Sequence, residues 1–266
     1  MRRSASFSVT KALSAAFSGL PGAWGGAGLA LVLLWAVAAG GPLVVFQHHS
    51  IWLCLALVVA VVVCKVMSLG ALYRTALFGQ TAGKEGRGPG GLQFALPEVR
   101  LILASLLAAL FVAFIVGAGF IVFVVAAKMN DVDPVHGGTW TLVSAVIAHL
   151  FLLFILVKFS LLHAANIAQR KLVTLNALGL TSGQAGKLFA GMVVLVLPFA
   201  LLVAGVVHHL GPEIRLAHAL PYPWLTQGMN LVLHGGLLLL LIGLLLPLLV
   251  GFFASAYRQI ETIRAE

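Results

Sequence analysis

The chain has 266 residues, 61% of them hydrophobic and only 9% charged, with a mean hydropathy of +1.10. A water-soluble domain carries roughly 25% charged residues, so this composition excludes one and describes a polytopic membrane protein, a single integral membrane domain over 1–266 with little length left for soluble catalysis. Sixteen Lys and Arg against seven Asp and Glu give a net charge of +9; that balance would suggest nucleic acid in a soluble protein, but here membrane topology explains it and no nucleic-acid partner is expected.

The N-terminus carries Arg2, Arg3 and Lys11 and leads into a full-length apolar run rather than a small-residue cleavage site, so it reads as retained. Phe7, Leu13, Phe17 and Leu20 recur near helical spacing within residues 4–20, which predicts a surface helix lying flat on the membrane. Pro21 and the glycines after it are expected to separate that helix from a first span over 27–46, whose far end is loosened by Gly40, Gly41 and Pro42. His48, His49 and Ser50 turn the chain into a second span over 51–72. Cys54 and Cys64 sit on this one helix about 15 Å apart along its axis, too far for a disulfide.

The longest polar segment, 73–98, is rich in glycine and holds Arg74, Lys84 and Arg87. It is not a phosphate-binding loop: that motif needs four residues between its first Gly and the Gly-Lys pair, then Ser or Thr, whereas Gly79 and Gly83 leave three and Glu85 follows Lys84. A flexible basic loop is the expectation.

Residues 101–127 form the third span, an uninterrupted apolar run bounded by Arg100 and Lys128 and about 40 Å long as a helix, more than the ~30 Å hydrocarbon core. Its small residues Ser105, Ala109, Ala113 and Gly117 recur every four positions and predict the central helix-packing face. A fourth span over 140–162 opens on Trp140, a fifth over 188–207 contains Pro198, and a sixth over 229–253 ends near Tyr257 and Arg258. Turn-bearing segments precede each odd span, and the even spans end alike in Ala71, Leu72, Tyr73, Arg74 and in Ala254, Ser255, Ala256, Tyr257, Arg258. The expected fold is therefore all-α: six transmembrane helices as three pseudo-repeated hairpins with cytoplasmic interfacial helices.

The residues Phe94, Glu98, Val99, Arg100 and Leu101, with Leu178, Leu180, Thr181, Ser182 and Gly183 before the fifth span, carry a resemblance to a group of uncharacterised six-span proteobacterial inner-membrane proteins. That group is similar in layout to the membrane domain of some bacterial glycerophosphodiester phosphodiesterases. Asn176 and Ala177 stand where the group usually places an aromatic residue. The resemblance implies an architecture and a bacterial inner-membrane location, and no activity.

No Asp or Glu falls inside a predicted span, which weighs against ion-coupled transport, where a midplane carboxylate commonly binds the coupling ion. Nor is there an HExxH helix, a GxSxG elbow or a carboxylate pair on one helix face, so no catalytic residue and no cofactor is expected. His48, His49, His136, His208 and His209 gather near the predicted outer face; because they come from separate loops they read first as interfacial polar residues, and with neighbouring carboxylates they are the lesser alternative, candidate zinc or copper ligands. The leading expectation is a non-enzymatic membrane protein associated with anionic lipid head groups at the cytoplasmic face, or with a protein partner or a second copy of itself. The alternatives are a transporter or channel for an uncharged or lipid-like solute, motivated by Pro198, Pro247, Gly235, Gly236 and Gly243, and a metal-binding protein.

Of the 16 Lys and Arg, 12 lie at the termini and in the loops after spans two and four, so the positive-inside rule puts both termini in the cytoplasm. A C-terminal green fluorescent protein fusion is expected to fluoresce and a C-terminal alkaline phosphatase fusion to be inactive; the reverse pattern would invert the orientation.

Overall fold

The computed structural model describes residues 7–79, 88–129, 139–218 and 223–265, and these are helical, with no strand among them. Helices α1 (Val9–His48), α2 (Ile51–Phe78), α3 (Leu96–Met129), α4 (Thr139–Phe159) and α5 (Leu162–Gln169) are followed by α6 (Asn176–Leu180) and α7 (Ala185–His218). The last span joins α8 (Pro223–Leu240) to α9 (Leu246–Ala265) through a π-helical turn, Leu241–Leu245. Six helical segments are long and apolar enough to cross a membrane.

Helix α1 departs from the expected boundaries. It is one helix of 40 residues that passes through both Pro21 and Pro42, so no break separates a surface helix from the first span. Ser8 caps its start, accepting from the Lys11 N–H at 3.4 Å, and its end at His49 adopts the left-handed conformation, whose N–H returns to the Val45 carbonyl at 2.9 Å. Proline's local cost is overridden here by packing along the full length of the helix, the usual source of helix stability in proteins. The Ser8 N–H bonds Gln259 Oε1 at 3.0 Å, and a Cβ on Gly251 would lie 3.0 Å from Ala16 Cα, so α9 runs antiparallel beside α1.

The middle of that contact depends on Pro247. It has no N–H to offer the carbonyl four residues earlier, Gly243, and the π-helical turn lies across the same stretch. The Trp24 indole N–H donates to the Gly243 carbonyl at 2.9 Å, and Trp35 donates to the Gly235 carbonyl at 2.8 Å. Two indoles three turns apart on α1 thus pin the irregular sixth span. Helix α2 packs on α1 as well: the Ser68 hydroxyl of α2 bonds the Ala30 carbonyl at 3.0 Å. A single 3-10 turn, Pro89–Gly91, is wedged between them, where Gly91 has φ +84° and a Cβ would come within 2.8 Å of Ala71 Cβ and 3.0 Å of Ala27 Cα.

The bundle is therefore built around α1, against which both α2 and α9 pack, and not around the third span. The small-residue stripe also departs from its expected role within the chain: Ser105 is half-buried, while Ala109, Ala113 and Gly117 are exposed. The buried residues of α3 are Leu101, Ala104 and Ala108. At about 100° per residue a four-residue step advances about 40°, so a stripe of that spacing winds off the packed face within two or three turns.

Removing the indole donor leaves the Gly243 carbonyl without a partner in an apolar setting, a loss of about 1–3 kcal/mol. Trp24→Phe is therefore expected to lower the thermal midpoint of the detergent-solubilised protein by several degrees; an unchanged midpoint would remove this hydrogen bond from the account.

Candidate functional site

Polar chemistry in the described structure concentrates at the end of the bundle where α2 finishes and α3, α5, α7 and α9 begin or end, here called the charged end. Its most buried element is an ion pair. Arg74 on the last turns of α2 and Glu98 on the first turn of α3 meet at 2.5 Å, with side-chain exposures of 5% and 0%. The second carboxylate oxygen of Glu98 accepts the Ala95 N–H at 3.0 Å, the return half of a capping box that starts α3. Gly70 makes room for the carboxylate, since a Cβ there would stand 2.6 Å from Glu98 Oε1. The pair bridges the two ends of the 73–98 segment, so the polar loop predicted from sequence contributes a closed, buried clasp.

Beside it, Ser105 Oγ and His163 Nε2 lie 2.9 Å apart, and the His163 ring stacks on Tyr73 at 6.1 Å. The chain then turns around Asn166, buried in α5. Its amide bonds both backbone groups of Val173, donating to the carbonyl at 2.7 Å and accepting the N–H at 2.9 Å. Thr181 is fully buried and donates to the carbonyls of Lys158 and Leu178, each at 3.2 Å. The residues of both motifs, 94–101 and 178–183, thus close helix ends: Glu98 starts α3, and Thr181 ties the turn before α7 to the end of α4.

These interactions consume acid and leave base. At the charged end the described acidic residues are Glu98, held by Arg74, and Glu261, which accepts the Tyr257 hydroxyl at 2.9 Å. Arg100 donates to the Arg170 carbonyl, Arg264 to the Gly179 carbonyl, and Lys187 to the Phe7 carbonyl at 3.2 Å. Lys11, Lys171 and Arg258 are exposed, and among the described residues their cationic groups have no hydrogen-bond or ion-pair partner.

Two hollows open at this end. One, about 290 Å³, is lined by Gln169, Lys171, Asn176 and Arg264. The larger, about 380 Å³, lies between α1, α2 and α9 and is lined by Gly19, Gly22 and Gly25, by Thr75 and Gly79, and by Arg258.

The histidines proposed from sequence lie elsewhere. His48 and His49 are exposed where α1 turns into α2, and His208 and His209 are exposed on α7 with their rings 5.3 Å apart. His136 falls outside the described residues, and among those described no group of three or more His, Cys, Asp or Glu comes together. Compared with protein-family models, curated proteins and solved structures, the chain matches none of them, so the site is interpreted from its own chemistry.

The Arg74–Glu98 pair was legible only in part: a Glu directly after the Leu96-Pro97 step signals a helix start, but nothing in the sequence says that Arg74 folds back onto it. Breaking a buried pair by removing one partner costs about 3–5 kcal/mol, whereas replacing both partners with apolar residues is often close to neutral. Glu98→Ala is therefore expected to destabilise the protein far more than the double variant Arg74→Leu with Glu98→Leu, measured by denaturant unfolding in micelles. Equal losses would show that the site does not depend on charge compensation.

Proposed function

We propose that this chain is a non-enzymatic protein of a bacterial inner membrane that associates with anionic lipid head groups through its charged end, which faces the cytoplasm. The observation that carries the reading is the charge arrangement: of the described acids at that end, Glu98 is held inside the bundle by Arg74 and the exposed Glu261 accepts from Tyr257, while Lys11, Lys171 and Arg258 are exposed with no partner among the described residues. Each basic residue near an anionic leaflet contributes about 1 kcal/mol of attraction, so a few such cations at one end favour anionic lipid over zwitterionic lipid appreciably. The resemblance to six-span proteobacterial membrane proteins agrees with the same location, and the roles of Glu98 and Thr181 in closing helix ends give those motifs a structural purpose in place of a catalytic one.

In nanodiscs of mixed phosphatidylglycerol and phosphatidylcholine, native mass spectra are expected to show the full chain retaining phosphatidylglycerol in excess of its share of the mixture. Retention in proportion to the mixture would overturn the lipid reading. Turnover of a defined substrate by the purified protein in neutral liposomes would overturn the non-enzymatic one.

A further inference from the structure

The groove of about 380 Å³ between α1, α2 and α9 has a feature that helix packing does not account for. Glycine in a helix costs about 1 kcal/mol relative to alanine, and membrane helices accept it where a neighbour must approach closely. Gly251 and Gly91 follow that rule, since a Cβ on either would press on the backbone of α1 at 3.0 Å. Gly19, Gly22 and Gly25 do not: a Cβ on any of them meets no atom within 4 Å. These three line the groove from α1, so their missing side chains leave open space that nothing in the described chain fills.

The groove also has a direction. Because α1 and α9 pair antiparallel, with Ser8 bonded to Gln259 and Trp24 bonded to Gly243, Arg258 stands level with the first turn of α1. The trough extends from there along α1 between Ala15 and Gly26, about 16 Å of helix axis, and ends against Pro247. Lys11 lies one turn before Ala15 on the same side of α1, so it adds a second exposed cation near the same rim. A cation at the rim of a narrow trough of glycine, alanine and valine, about 16 Å long, complements a molecule with an anionic head and one apolar tail.

We infer that this groove is a binding site for one phospholipid, with its phosphate at Arg258 and an acyl chain laid along Gly19, Gly22 and Gly25. The inference rests on the anionic-lipid reading above and gives it a specific site. Its volume lies at the small end of the 300–1,000 Å³ range of ligand pockets, room for part of one lipid and not for a bulky solute.

The test uses the full chain and two variants: Arg258→Gln, which removes the phosphate contact, and Gly22→Leu, which fills the trough where open space exists and leaves the helix contacts of Gly251 intact. Each is first compared with the unsubstituted protein by thermal unfolding, where no decrease is expected. Native mass spectrometry in nanodiscs containing phosphatidylglycerol then counts retained lipids. One tightly held phosphatidylglycerol is expected on the unsubstituted chain, held about 10-fold more weakly after Arg258→Gln, the effect of losing one charge-assisted hydrogen bond, and lost after Gly22→Leu. A preference for phosphatidylglycerol that both variants retain would overturn the groove while leaving the general reading in place; absence of any preference in the unsubstituted protein would overturn both. Displacement of the lipid by millimolar inorganic phosphate would make a free anion the ligand, and a dimer of the unsubstituted chain that Gly22→Leu abolishes would make a second copy the occupant; either result overturns the assignment to lipid.

Discussion

A carbonyl released inside hydrocarbon has no water to bond, and every group in a membrane helix must be satisfied by the protein itself. Pro247 releases the carbonyl of Gly243, and Trp24 supplies the missing donor from a neighbouring helix. That hydrogen bond, with the similar one from Trp35 to Gly235, makes the regularity of the sixth span depend on the position of α1. Beside α8 and α9, α1 also receives α2 and the turn around Gly91.

The charged end shows the same economy of buried polar groups. Arg74 and Glu98 would each be costly alone in a low-dielectric setting, and together they also start α3 through the Ala95 N–H. Asn166 performs a comparable task for the loop after α5, presenting both an acceptor and a donor to one residue of backbone. Because these side chains are taken up in closing the bundle, Lys11, Lys171 and Arg258, with the exposed Glu261, are left on the outside of this end.

Packing weakens along the third span. Leu101, Ala104 and Ala108 are buried, whereas Phe114, Phe120, Ile121 and Val122 are between 63% and 75% exposed within the chain. The helices are thus held most firmly at the charged end, where hydrogen bonds and the ion pair supplement apolar contact. This distribution places the best-defined site beside the most densely hydrogen-bonded part of the described bundle, and it separates that site from the exposed histidines at the other helix ends.

Six apolar runs and the charge asymmetry were legible in the sequence, because hydrocarbon thickness demands about 20 apolar residues per crossing and charges avoid the core. The sequence by itself thus determined that the chain is an integral membrane protein with six candidate spans. What it left open depended on contacts between segments far apart in the chain. Pro21 looked like a break, yet the last span packs beside α1 on both sides of it, α9 before it and the π-helical turn after it, and the helix stays whole. The stripe from Ser105 to Gly117 looked like a packing face, yet its spacing winds away from the side that Glu98 and Leu101 turn inward. Glycines on α1 looked like a loosened linker, and only their placement opposite α2 and α9 distinguishes close contact from an open groove. Local composition records what each segment can tolerate in a membrane, whereas which faces meet, which carbonyls need a donor and which hollows stay open are properties of the assembled bundle.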